Sequence, residues 1–340
     1  MIKKIIFIGH KYDLGETSQE GLIYNAFHNG FTNLNYNLKS IFYEEYKSNI
    51  IDKIIIDETQ HFNPDMIFFV FQAGKISHET LEILKNKSCI SVNFYGDDCW
   101  RFETFTLTTY HLFNYVISAD DLSLKKYVKH KISNVLYSQW AGLSEYQSKK
   151  INNQNFDYEL TFIGGYNEYR DWICKELKRN DIDIECFGPG WGNGKVSYEQ
   201  MSKIVENSMI NLSLPNSMSF DIRYLFSSLR GIYRVIKYFI GKKLKNYDGI
   251  KARIFEISSM GGLVLTQYVP FIEKYFRVGK EILCYSDMES LIRQIKFLKD
   301  NQDFASEVRK KGWERAIRDH SYENRISNIM AKINELEENK

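Results

Sequence analysis

No Cys-x-x-Cys pair occurs in the chain, and its five cysteines, Cys89, Cys99, Cys174, Cys186 and Cys284, are odd in number and widely spaced. That suggests neither a disulfide framework nor a structural zinc site, and a reducing cytoplasm is the expected compartment. No apolar run is long enough to cross a bilayer, and the early Ile-Ile-Phe-Ile reads as a first strand rather than a signal-peptide core. The formal net charge is only +2, too balanced to imply a nucleic-acid partner. Proline is scarce, at four residues, beside abundant Ile, Lys, Asn and Tyr; this is the stamp of an AT-rich bacterial genome and carries no mechanism. What remains is a globular chain, 44% hydrophobic and 26% charged over 340 residues, with room for two domains.

Strand and helix signals alternate along it. Residues 3–8 predict a strand and 9–17 a polar loop; Ser18 caps a helix with Leu22, Ile23, Ala26 and Phe27 inward and Gly30 just past its end. Further strands are expected at 34–36, 66–71, 89–94, 115–118 and 132–136, with helices through 51–59 and after Ser77. Such repetition predicts a mainly parallel sheet over residues 1–141. A polar lapse over 137–157 reads as a linker. A second α/β domain, 142–320, opens with a strand at 160–163, Gly164-Gly165, and a helix bearing Arg170, Trp172, Ile173 and Leu177. It continues with a strand at 184–187, the glycine-rich loop 188–192 around Trp191, a helix at 198–206 and a strand at 209–214. After Thr266 come a helix near 271–276, a strand at 282–285, and helices at 288–298, 303–319 and 322–336.

The stretch from Asp248 to Thr266 organises the second half. Helical spacing places Ile254, Ile257 and Ser258 on one face, Gly261-Gly262 stops the helix, and Leu263-Val264-Leu265 reads as a strand. Lys251 and Arg253 stand at the helix start, where free N–H groups already favour an anion, so added cations serve a phosphate better than they serve the helix. The run Lys251-Ala-Arg-Ile-Phe-Glu256, followed by Met260-Gly-Gly-Leu-Val-Leu-Thr266, resembles the nucleotide-sugar half of GT-B glycosyltransferases, most closely the CgeB-like (spore maturation protein-like) branch of the family-1-type enzymes. The resemblance is good over 156–322 and fainter before it. It implies an α/β fold of two Rossmann-like domains with parallel sheets facing across a cleft, and a C-terminal helix, 321–340, crossing back to the first domain.

The same resemblance implies a nucleoside-diphosphate sugar as co-substrate, no cofactor, and a glycan or lipid-linked acceptor from bacterial surface polysaccharide synthesis. An acidic residue, seven intervening residues and a Glu bracket the donor in that fold; Asp248 and Glu256 have the spacing, Glu256 taking the ribose hydroxyls and Asp248 standing where Glu is usual. That pair leans toward retention of anomeric configuration. Donor-site candidates are Gly164, Gly165, Arg170, Asp248, Lys251, Arg253, Glu256, Gly261 and Gly262, with Arg253 the main stabiliser of the leaving diphosphate. Arg170 and Lys251 read equally as helix-surface charges, and the 188–192 loop borders the base or is a plain tight turn.

At the acceptor end, Asp97 and Asp98 follow a strand at the edge where open α/β sheets hold ligands, as does His10. Each is a candidate base for an acceptor hydroxyl; the two acids read also as caps of the next helix. Asp181-Ile-Asp183 has the form of a metal-binding Asp-x-Asp but lies between a helix and a strand, where acids are ordinary turn residues, so no metal site is assigned. Residues 216–247 are an insertion with seven basic residues against the single acid Asp221, and apolar residues at helical spacing. They suit an anionic membrane surface, or an ordinary helix with its lysines in water. A nucleotide-sugar 2-epimerase and a non-catalytic binding protein are the other classes this reading leaves open.

Overall fold

A computed structural model describes residues 2–13, 19–71, 73–151, 155–214, 223–224, 232, 236 and 248–340. The chain divides into two compact units, Met1–Ala141 with Tyr322–Lys340, and Gly142–Ser321. Ser18 and nearly all of the basic insertion 216–247 lie outside the described residues. Within the described residues no helix is long and apolar enough to cross a membrane.

In the first unit, strands β1 (Lys4–Gly9), β2 (Asn37–Phe42), β3 (Met66–Phe69), β4 (Ile90–Tyr95), β5 (Tyr115–Ser118) and β6 (Val135–Tyr137) form a parallel sheet in the order β2-β1-β3-β4-β5-β6. β1 and β3 are almost wholly apolar and buried, as strands covered on both faces must be. Helices α1 (Ile51–Phe62), α2 (His78–Lys85) and α3 (Leu124–Lys129) lie between strands. The Ser77 hydroxyl accepts from Thr80 N–H and caps α2, as its position predicts.

Two expectations fail here. The strand foreseen at 34–36 is a turn, because Asn35 takes a left-handed φ of 59°; the strand begins at Asn37. Gly30 does not close its helix but lies within Asn29–Asn33, where an added Cβ would come 2.5 Å from Cδ1 of Ile326. Glycine is there for close approach of the C-terminal helix, not for a cap.

In the second unit, β7 (Tyr158–Ile163), β8 (Glu185–Phe187), β9 (Ser208–Ser213), β10 (Val264–Gln267) and β11 (Leu283–Tyr285) form a parallel sheet in the order β11-β10-β9-β7-β8. Around it run α4 (Glu168–Lys178), α5 (Tyr198–Glu206), α6 (Ala252–Ser259), α7 (Met288–Asp300) and α8 (Gln302–Asp319); the last helix, α9 (Tyr322–Glu338), belongs to the first unit. Asn167 caps α4, while Ser197 and Asp287 form capping boxes at α5 and α7. Strand order reverses between β1 and β3 in the first sheet and between β7 and β9 in the second. Those are the places where a doubly wound sheet opens a crevice at its carboxyl edge.

The 137–157 stretch is less of a linker than its polarity predicts: Ser138, Gln139, Ala141 and Leu143 are buried. Near it, Asp98 forms the hub of a buried polar network, accepting from Thr106 Oγ1 and Ser118 Oγ at 2.5 Å each and from Tyr127 Oη at 2.8 Å. Burial outweighs these three donors and pushes its carboxyl up to about 6. A carboxyl raised above its unfolded value stabilises the folded state at low pH, and that contribution is lost as pH rises from about 4 through 6. Asp98→Asn should therefore be more stable relative to wild type at pH 7 than at pH 4, by on the order of 2–3 kcal/mol. Urea unfolding of both proteins across that range measures the difference; equal offsets at the two pH values would contradict it.

Candidate functional site

The carboxyl edge of the second sheet is built around Arg170. The residue is 9% exposed, and its guanidinium donates through Nη1 to the Gly165 carbonyl at 2.6 Å and through Nη2 to the Leu214 carbonyl at 3.1 Å. Gly165 follows β7 and Leu214 follows β9, so one side chain ties together the strand ends where the order reverses. The cation also lies 4.9 Å from the centre of the Phe162 ring. Burial, helped by the charge of Arg253, lowers its pKa to about 10, which leaves it cationic at neutral pH. Arg170 is thus no helix-surface charge, and these two hydrogen bonds go to backbone carbonyls.

Two glycine loops meet beside it. Gly164 N–H donates to Phe187 O at 2.8 Å, and Trp191 Nε1 donates to Gly164 O at 2.9 Å. At Gly188, with φ of 128°, a Cβ would stand 2.3 Å from the Gly164 carbonyl oxygen, so this crossing requires glycine. Among the described residues, a Cβ at Gly165 would meet nothing within 4 Å. Gly165 is therefore the member of the pair with space in front of it.

Next along the edge stands the start of α6. Lys251 is its N-cap, extended and without a side-chain cap bond, at a helix start whose N–H groups favour an anion. Four of the expected residues form two ion pairs, Lys251 Nζ with Asp248 Oδ1 at 3.3 Å and Arg253 Nη1 with Glu256 Oε2 at 2.9 Å. The Glu256 side chain is 2% exposed and that of Arg253 27%. Asp248 also acts electrostatically on Arg170, so Arg170, Asp248, Lys251, Arg253 and Glu256 share one neighbourhood.

Gly261 and Gly262 do not join it. They follow the other end of α6, at the amino end of β10, about 12 Å along the helix from Lys251. Gly261 has a φ of 78° and terminates the helix, and a Cβ on Gly262 would lie 2.6 Å from side-chain atoms of both Ile257 and Val205. Backbone conformation and packing account for them. Asp181 likewise sits in a left-handed turn, φ 59°, on the amino side of β8, away from the ligand edge.

In the first unit, His10 follows β1, and its Nδ1 lies 3.0 Å from Glu44 Oε1. Backbone N–H groups of Lys11 and Tyr12 donate to the same carboxylate at 3.2 Å each. Burial acts to raise the Glu44 pKa, but these hydrogen bonds together hold it below the usual carboxylate range. Glu44 was invisible in the sequence reading. The parallel register Gly9↔Phe42 brings it beside His10, and a β2 placed at 34–36 concealed that register. Asp97 is exposed at the end of β4 and makes no side-chain cap bond, whereas Asp98 is enclosed by its three hydroxyl donors and is not available to an acceptor. Tyr285, at the end of β11, is a second residue the sequence did not flag; burial, with Tyr169 and Asp248 near, holds its hydroxyl protonated.

The sequence model of the glycosyl transferase-like family matches residues 170–331, just under half of the chain. No curated protein matches it in sequence. Among solved structures, HepE of Anabaena in complex with UDP-glucose is similar at 8% identity, covering 97% of this chain and 100% of that one with a TM-score of 0.61. Sucrose-phosphate synthase of Thermosynechococcus elongatus is 9% identical over 99% of this chain and 100% of its own, at 0.60. A putative UDP-N-acetylglucosamine 2-epimerase of Listeria monocytogenes is 10% identical over 99% and 98%, at 0.56. The fold is GT-B, as the resemblance implied.

Removing the Arg170 clamp strands two carbonyls at the reversal of strand order. Arg170→Ala should cost on the order of 3 kcal/mol in urea unfolding, and Arg170→Lys should recover little, since one ammonium cannot reach both acceptors with a planar fork. A loss under 0.5 kcal/mol on the same order-of-magnitude scale would contradict the clamp.

Proposed function

We propose that the protein is a glycosyltransferase of the CgeB-like branch, moving a sugar from a nucleoside-diphosphate donor to a hydroxyl of a glycan or lipid-linked acceptor. The observation that carries this reading is the cluster of Arg170, Asp248, Lys251, Arg253 and Glu256 at the start of α6, beyond the strand ends of the second sheet. All five residues fall within the stretch similar to glycosyl transferase-like sequences, 170–331. The UDP-glucose bound by HepE supports a nucleotide sugar as the ligand.

When the anomeric bond breaks, negative charge develops on the departing diphosphate. Lys251, Arg253 and the N–H groups at the α6 start meet that charge without reorganisation of water. In the structure the same cations pair with Asp248 and Glu256. Donor binding exchanges partners: the diphosphate takes Arg253, and the ribose hydroxyls take Glu256, the part the resemblance gives it. The leaving group's charge is met by side chains, so we propose a metal-independent reaction.

For the acceptor we assign His10 as base over Asp97, because Glu44 fixes its ring. The acceptor oxygen attacks the anomeric carbon, its proton passes to the imidazole, and the bond to diphosphate breaks. Such a base belongs to an inverting displacement, whereas the spacing of Asp248 and Glu256 leans to retention; the anomeric configuration of the product decides between them. The similarity to an epimerase favours one second reading, nucleotide-sugar 2-epimerisation, which would release a 2-epimer with no acceptor present.

A thermal-shift panel of UDP, GDP, ADP, CMP and their sugars tests the donor site. A ligand at a hundredfold its Kd stabilises by about 2.7 kcal/mol, so one base should give a selective shift that Glu256→Ala abolishes. No shift with any nucleotide at millimolar concentration would remove the donor-site assignment. Once a donor is known, turnover should persist in excess chelator. His10→Ala should lower kcat by about 10²–10⁴ with the donor shift intact. An unchanged kcat would return the base to Asp97.

A further inference from the structure

The notion of five unrelated cysteines does not survive the fold. Cys174 Sγ, on α4, lies 3.5 Å from Cys186 Sγ, on the edge strand β8, and neither residue is fully buried. The twelve-residue separation in sequence is closed by the turn through Asp181 that returns α4 to β8. We propose that Cys174 and Cys186 are a redox pair that closes reversibly to an intramolecular disulfide.

The position gives the bond a purpose beyond its existence. Four residues before Cys174, Arg170 clamps the Gly165 and Leu214 carbonyls. Immediately after Cys186 come Phe187, whose carbonyl holds Gly164 N–H, and the loop whose Trp191 holds Gly164 O. A bond between the two sulfurs therefore ties the helix behind one glycine loop to the strand before the other. Both loops lose freedom together.

The chemistry needs only a small-molecule disulfide such as oxidised glutathione. The thiolate of one cysteine of the pair attacks one of its sulfurs, releasing one glutathione thiolate and forming a mixed disulfide; the thiolate of the other then attacks that mixed disulfide at the protein sulfur and releases the second glutathione. Two protein thiols are oxidised and one glutathione disulfide is reduced to two thiols, with both thiol protons passing to solvent or to the released thiolates. The contact with Cys174, and then burial, hold Cys186 in its thiol form, so closure is faster as pH rises and the thiolate becomes available.

The test uses the full folded chain, incubated with oxidised glutathione at pH 8, alkylated and digested. The expected result is loss of two of the five thiols, a cross-linked peptide pair carrying Cys174 and Cys186, and return of both thiols with dithiothreitol. The oxidised protein should melt about 5 °C higher, a rise absent in Cys186→Ser. Should Cys186→Ser fold poorly, Cys174→Ala gives the same comparison from the helix side. Glutathione adducts that stay on both cysteines without closing, or cross-links that fall on Cys89, Cys99 or Cys284, would overturn the proposal. Neither result depends on which ligand the second unit binds.

Discussion

The second unit depends on one buried cation holding two strand ends. In a parallel sheet the carboxyl ends of neighbouring strands each present carbonyls with no further ladder partner, and where strand order reverses the following segments diverge. Arg170 satisfies one carbonyl on each side of that divergence, after β7 and after β9. Its fork geometry does what an ammonium does poorly, and the Phe162 face supports the charge from below. With the crevice fixed in this way, the open space before Gly165 and the start of α6 have defined positions.

The charges around that crevice stand in ion pairs that a ligand of the proposed kind could exchange. Two cations and two carboxylates pair within a few residues of one another, and one of the carboxylates, Glu256, is almost wholly removed from water. A buried ion pair gives little net stability after desolvation, but breaking it on one side alone is costly. A ligand that brings both an anion for the cations and hydroxyls for the carboxylate can replace both halves at once. A nucleoside diphosphate carries both kinds of group. The first unit uses charge differently: Glu44 is ionised to hold His10, while Asp98 is enclosed to the point that burial raises it to about 6.

Much of this was legible in residue order because it is local. Hydrophobic spacing located α6, the apolar runs located β1, β3 and β4, and the capping serine before α2 marked its start. What was hidden depends on partners distant in sequence. Asp97 and Asp98 are adjacent and look alike; Thr106 and, twenty and more positions on, Ser118 and Tyr127 distinguish the enclosed acid from the exposed one. Arg170 carries no local sign that its acceptors are Gly165 and Leu214. Glu44 waited on the register of β2 with β1, which a left-handed Asn35 shifted past the predicted strand. Gly261-Gly262 misled in the opposite way, since glycine is used alike for a ligand's approach and for a helix end.

Amide hydrogen exchange with and without a saturating nucleoside diphosphate tests the central claim most directly, because the claim rests on backbone N–H groups at the start of a helix. Slowed exchange confined to residues 251–254 and 164–166 is the predicted result. Slowing that falls instead on residues 9–12 and 96–98, with 251–254 unchanged, would contradict it and place the nucleotide on the first sheet.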